Sequence, residues 1–199
     1  MQINVPVLEI GSVPIELVNK AATLCNNINW AEDRYTRDND ISLSTYSRLL
    51  PMKSKSASNP IYTEVEQELV NACTMIIHSL PNEFQNLTVI NCEIATLPPD
   101  TLIKLHYDGK WSHKFSKRIH IPIMTNDKCD NTWLNIRLKM EPGKVYEINN
   151  RVLHGARNKG ETNRTHLIID FMEPEVFNLE LSEGRSPWRV FDDDIKPLT

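Results

Sequence analysis

A histidine and an aspartate stand two apart in Thr101-Leu-Ile-Lys-Leu-His-Tyr-Asp-Gly109. The run alternates like a half-buried strand, which places Leu102, Lys104, His106 and Asp108 on one face and Ile103, Leu105 and Tyr107 on the other. An imidazole and a carboxylate so arranged can grip one metal ion, and Gly109 ends the strand. Alone, such a pair is a weak signal. Its meaning depends on what the other strands bring to the same place.

Strand phase supplies more groups. In Lys117 to Met124, Ile119, Ile121 and Ile123 share one face while Arg118 and His120 share the other. The apolar face must seat in the core, so the opposite face carries Arg118 and His120 toward something polar. In Arg151 to Arg157, Val152, His154 and Ala156 share a face. In Arg164 to Phe171, Arg164, His166 and Asp170 oppose Thr165, Leu167, Ile169 and Phe171. Three strands thus each place a histidine opposite an apolar face.

The elements that must hold these groups follow from the rest of the chain. Ile3-Asn-Val-Pro-Val-Leu-Glu-Ile10 is strand-like, and Pro14 opens a helix whose Ile15, Val18, Ala22 and Cys25 recur at helical spacing. A polar stretch over 31–59 contains one alternating piece, Ile41 to Leu50, and a flexible loop at Lys53 to Asn59. Asn59 caps a second helix with the stripe Ile61, Val65, Leu69, Cys73 and Ile76, and Pro81 follows its end. From Leu87 the chain becomes short alternating runs: 87–97, 101–108, 117–124, 132–139, 144–149, 151–157 and 164–172. Helices first and strands afterwards predict a mainly β protein, a double-stranded β-helix (jelly-roll, cupin-like) core with N-terminal helices against it. We expect a single domain over 1–199. It comprises a strand and helical buttress (1–86), the β core (87–172) and a tail (173–199) that wraps the surface and docks through Trp188, Val190 and Phe191.

The chain has 199 residues and a formal net charge of -4, with a sequence pI of about 5.9. That balance argues against nucleic acid as the partner, since phosphate binding needs clustered Lys and Arg. Cys25, Cys73, Cys92 and Cys129 form no Cys-x-x-Cys pair and read as reduced, mostly buried thiols. The opening residues show no signal peptide. No apolar run approaches the ~20 residues that span a bilayer. The expectation is a soluble, cytoplasmic protein with no membrane partner.

Two histidines and one carboxylate around a metal with open positions is the geometry of non-haem Fe(II) oxygenases. His106 and Asp108 would supply two ligands and His154, 48 residues on, the third. The open positions suit a bidentate oxo-acid and dioxygen. An arginine's planar fork would then match the far carboxylate of that oxo-acid. Arg164, 10 residues past His154 and just after the Asn158-Lys-Gly-Glu-Thr-Asn163 turn, stands where such a clamp is needed.

The ordered set His106-Tyr-Asp108, Arg118-Ile-His120-Ile-Pro, Gly143-Lys-Val-Tyr-Glu-Ile-Asn-Asn150, His154-Gly and Arg164-Thr-His-Leu-Ile-Ile-Asp170 resembles the aspartyl/asparaginyl β-hydroxylase family. That family belongs to the Fe(II)- and 2-oxoglutarate-dependent oxygenases and includes bacterial free-proline hydroxylases. The resemblance covers about residues 88–172. It implies that His106, Asp108 and His154 bind iron, that Arg164 and His120 bind 2-oxoglutarate, and that Arg118 faces the substrate or cosubstrate. It also implies hydroxylation of a free amino acid or of an amino-acid side chain in a peptide, with dioxygen consumed and 2-oxoglutarate converted to succinate and CO2. With Asp108 present the site resembles the microbial branch, because animal peptidyl members lack that carboxylate. The chain departs at Ala95, 11 residues before His106, where the family often has a cosubstrate-holding Ser; Thr96 or another group would have to substitute.

Several residues keep two readings. His166 is either a partner of the binding residues or a satisfied core histidine, and Asp170 pairs with a nearby Arg rather than touching the metal. Trp133, Asn135 and Arg137 line the pocket or an exposed sheet face. Arg157 reaches a substrate carboxylate or is a solvated charge. His78 is a surface or packed residue, and His113 is a loop residue or part of a lid. Two other functions fit the same fold: a cupin-like metalloenzyme that uses no cosubstrate, and a non-catalytic jelly-roll binding module.

Overall fold

The computed structural model describes residues 4–28, 30, 63–108 and 114–185, and the backbone of 46–49. The element order is β1 (Val7–Ser12), α1 (Ile15–Asn26), β2 (Tyr46–Leu49), α2 (Glu64–His78) and α3 (Asn82–Gln85). Then come β3 (Thr88–Leu97), β4 (Thr101–His106), β5 (Ser116–Met124), β6 (Cys129–Trp133) and β7 (Ile136–Leu138). β8 (Lys144–Ile148), β9 (His154–Asn158), β10 (Arg164–Met172) and α4 (Pro174–Ser182) complete it. The strands form two antiparallel sheets, ordered β1-β8-β5-β10-β3-β2 and β4-β9-β6-β7. This is the jelly-roll core that the strand spacing predicts.

The alternation in β5 and β10 decides the layering. Ile119, Ile121, Leu167 and Ile169 face α1 and α2 and are fully buried there with Val18, Ala21, Cys25, Ala72, Cys73 and Ile76. Burying each Ile or Leu stabilises the fold by roughly 1.5–3 kcal/mol. Register then fixes what lies on the other face. Asp170 pairs with Arg118 and Asn91, Ile168 with His120 and Glu93, and His166 with Pro122 and Ala95. The face that cannot enter the apolar core therefore holds the polar groups together. A smaller cluster of Trp133, Met140, Tyr146 and Ile148 packs apart from the main core.

Several expectations need correction. Helix α2 begins at Glu64, and its cap is Thr63, not Asn59. Thr63 accepts from the Glu66 N–H while the Glu66 carboxylate accepts from the Thr63 N–H, a capping box. The buried face of α1 is Val18, Ala21, Leu24 and Cys25, while Ile15 is exposed. The run 132–139 is a hairpin rather than one strand, because Leu134 turns the chain at φ 53°. Trp133 is consequently buried while Asn135 and Arg137 are exposed, so the three do not share a face. Strand β9 starts only at His154, and the tail opens with helix α4, whose Pro174 sits in the first turn. Asn59, Ile61, the 53–59 loop, Gly109, His113, Trp188, Val190 and Phe191 lie outside the described residues.

All four cysteines are free and buried. Burial pushes the Cys25 thiol up to about 12, which keeps it protonated and unreactive. Among the described residues no helix is long and apolar enough to cross a membrane.

Candidate active site

Strands β4 and β9 meet at the point where chemistry was expected. His106, the last residue of β4, is the direct partner of His154, the first of β9. The register shifts between Ile103 and His106, so the alternation that was read through to Asp108 breaks at a bulge. Gly155 makes the close approach possible: a Cβ there would lie 2.6 Å from the Ile103 carbonyl oxygen.

Each histidine is oriented by its own strand. His106 Nδ1–H donates to the Lys104 carbonyl and His154 Nδ1–H to the Val152 carbonyl, both at 2.8 Å. This fixes the proton on Nδ1 and leaves an Nε2 lone pair on each ring, the arrangement a metal ligand needs. Asp108 lies beyond the end of β4, and its N–H donates to the Asn150 carbonyl at 3.1 Å. One carboxylate oxygen is 3.5 Å from His106 Nε2 and the other 4.0 Å from His154 Nε2. One ligand atom from each of the three residues lies within 4.8 Å of the others. The His106 side chain is 37% exposed, whereas His154 and Asp108 are 12% and 6% exposed, so the group opens to solvent on the His106 side. Burial lowers the His154 pKa despite the pull of Asp108, which favours the neutral imidazole.

Arg118 joins this group to the buried sheet face. Its Nε and Nη2 donate to the two Asp170 oxygens at 2.7 and 2.8 Å, and its Nη1 donates to Asp108. Asn91 donates to Asp170 at 3.2 Å. Burial works against the guanidinium's charge, but the Asp170 and Asp108 carboxylates override it and hold the pKa above the ordinary value. The sequence placed Arg118 toward a substrate or cosubstrate anion; its guanidinium is engaged by two carboxylates of the chain itself. Asp170 pairs with an arginine, as its phase suggested. Arg157 and His78 are exposed, away from these contacts.

A second cluster lies beside the first. Arg164 Nη2 donates to Asn131 Oδ1 and, at 3.1 Å, to His166 Nδ1. His166 Nδ1 is in turn 3.4 Å from His120 Nδ1, with the rings edge to face. No carboxylate within ion-pair distance of Arg164 is found among the described residues, and burial lowers its pKa to about 10. Burial and the nearby arginines hold His120 well below its ordinary value; burial and Arg164 do the same to His166. The clusters adjoin, since the charges of Arg118, His154 and Asp108 all act on His120.

Asn131 escaped the reading of the sequence, and Asn150 and Gly155 entered it only as motif residues, because a lone amide or glycine carries no pattern that marks a contact across sheets. Asn158 was read only as the start of a turn. Its side chain donates to the Leu97, Pro98 and Thr162 carbonyls and accepts from Asn126 and Gly160, pinning the turn that joins His154's strand to Arg164's.

The architecture is shared by solved proteins. A prolyl-4-hydroxylase from Pseudomonas putida matches with a TM-score of 0.57 at 14% identity, over 85% of this chain and 94% of that one. A prolyl hydroxylase from Trichoplax adhaerens, in complex with a hypoxia inducible factor oxygen degradation domain peptide fragment, gives 0.56 at 10% identity, over 87% and 86%. A non-haem α-ketoglutarate-dependent carbocyclase of nogalamycin biosynthesis gives 0.59 at 10%, over 84% and 80%. At such identities the likeness is one of fold. The sequence itself matches the family model described as aspartyl/asparaginyl beta-hydroxylase over residues 26–174. The chain belongs to the aspartyl/asparaginyl β-hydroxylase family of Fe(II)- and 2-oxoglutarate-dependent oxygenases.

Proposed function

We propose that this chain hydroxylates a C–H bond of a free amino acid, or of an amino-acid side chain in a peptide, at an iron site made by His106, Asp108 and His154. The observation that carries this reading is the juxtaposition of that triad with a buried arginine that has no carboxylate within ion-pair distance among the described residues. The donor set fits Fe(II): two imidazole Nε2 lone pairs and one carboxylate converge, and neither ring nitrogen has to shed a proton. Arg164 fits the cosubstrate, because a buried cation without an anion is costly and a carboxylate offsets that cost.

When bound, Fe(II) with 2-oxoglutarate and dioxygen supplies the oxidant that inserts one oxygen atom into the C–H bond, leaving succinate and CO2. The protein's own part is positional. His106 and His154 present their lone pairs because their strands' carbonyls hold the opposite nitrogens. Arg118 and the Asn150 carbonyl fix Asp108, and Asp170 fixes Arg118 in turn. Arg164, with His120 beside it, takes the dianion's far carboxylate. The solvent-facing side of His106 leaves an approach for substrate.

The test is direct. Anaerobic addition of Fe(II) and 2-oxoglutarate should give a weak visible charge-transfer band, and air should then yield succinate. Folded protein that shows neither would refute the reading. A panel of free amino acids and short Asp-, Asn- and Pro-containing peptides, scored for a mass gain of one oxygen, then identifies the substrate class.

A further inference from the structure

The Arg164 cluster contains a donor that the preceding assignment does not use. A guanidinium can only donate, so the 3.1 Å contact from Arg164 Nη2 makes His166 Nδ1 the acceptor. The neutral His166 ring therefore carries its proton on Nε2. His120 Nδ1, 3.4 Å from the same lone pair, can share it only as a donor, which leaves His120 Nε2 bare. Of the two histidines, His166 is the one that offers a proton and His120 the one that does not.

His166 Nε2 and Arg164 Nε are both buried, and neither has a partner among the described residues. A buried N–H without an acceptor is costly, because it has lost its water and gained nothing in return. Two of them beside an uncompensated cation fit an anionic acceptor. The strand partner of His166 on β3 is Ala95, whose methyl is small and contributes no donor of its own. Thr96 does not fill that role: its hydroxyl pairs with Thr165, its own register partner, at 2.9 Å.

Resting on the function proposed above, we infer that His166 is a binding residue for 2-oxoglutarate, donating from Nε2 to the far carboxylate alongside Arg164. His120 then acts through His166, as the positioning residue that holds its ring. Ala95 and His166 are a matched pair, the small residue opposite the large donor.

The experiment uses the full chain loaded with Zn(II), which is redox-inert, and measures binding of 2-oxoglutarate and of 2-oxobutyrate, which lacks the far carboxylate. His166→Val should weaken 2-oxoglutarate binding about 10-fold or more, the effect of losing a hydrogen bond to a charged group. It should leave 2-oxobutyrate binding unchanged. Adding Ala95→Ser, which returns a donor beside the vacated space, should recover part of the loss. Equal weakening of both ligands would mean a structural role, and unchanged 2-oxoglutarate binding would mean no role; either overturns the inference. If the variant does not fold, nitrogen-15 histidine spectra of the wild type decide. His166 should be an Nε2–H tautomer whose signal shifts with 2-oxoglutarate and not with 2-oxobutyrate. An Nδ1–H tautomer, or a signal that ignores both ligands, overturns the inference. A wild type that binds no 2-oxoglutarate refutes the proposed function itself, a result distinct from all of these.

Discussion

His106 and His154 face each other as the closing residue of β4 and the opening residue of β9, their ring centroids 4.4 Å apart. Their separation is set by backbone, because Gly155 lets the bulged segment of β4 lie against β9. Gly155→Ala would drive a methyl to within 2.6 Å of the Ile103 carbonyl oxygen, an atom that moves only with its strand. The strands should part and the two Nε2 atoms with them. We expect about 1–3 kcal/mol of lost stability and Zn(II) affinity down roughly 10-fold, within the range for disturbed ligand orientation. Calorimetric metal titration at unchanged affinity would show that the close approach is not what sets the site.

The Arg118–Asp170 pair predicts a longer-range effect. Both side chains are almost wholly buried, and the pair stands behind Asp108 rather than on the metal side. Asp170→Asn keeps the shape but removes the charge that anchors two of the guanidinium's nitrogens. A broken buried pair leaves a strained cation, so stability should fall by about 3 kcal/mol. Arg118 should then draw Asp108 away from the histidines, and Co(II) affinity should drop by about 10-fold. Denaturant unfolding and cobalt titration separate the two effects. A stability loss with intact cobalt binding would confine the pair to folding.

How much of this the sequence disclosed depended on whether period or contact carried the signal. Isoleucines at 119, 121 and 123 forced Arg118 and His120 to the other face, and in β5 the three isoleucines join the apolar core while Arg118 and His120 join the polar clusters. The sheets followed from the strand spacing, and the triad from the steps between His106, Asp108 and His154. The bulge at Ile103 to His106 was invisible, because a register shift arises from pairing with β9 and not from the strand's own residues. The Leu134 turn was missed because leucine at positive φ is unusual and carries no turn signature. Phase put Arg118 on the polar face of β5, but its partners there were not legible. Asp108 and Asp170 are 10 and 52 residues away in sequence and meet it only once the sheet is assembled.

Acid stability gives the third prediction. His120 and His166 are both harder to protonate in the folded protein than at their ordinary value of 6.5, chiefly because burial disfavours the charged ring. The unfolded chain therefore takes up protons first as pH falls through 6.5. Stability contributed by the neutral rings is complete above that point and is lost below it. Each such histidine steepens the pH dependence by at most one proton, so the pair together should approach a limiting slope of about 3 kcal/mol per pH unit below 6.5. His154, also lowered by burial, adds to it in the metal-free protein. Urea unfolding of metal-free protein should show a flat stability from pH 8 to 7 and a steep decline from 6.5 to 5.5. His166→Val should remove about half of the slope due to the buried pair. A wild type equally stable at 7.5 and 5.5 would mean that neither ring is as desolvated as the packing of β5 against β10 requires.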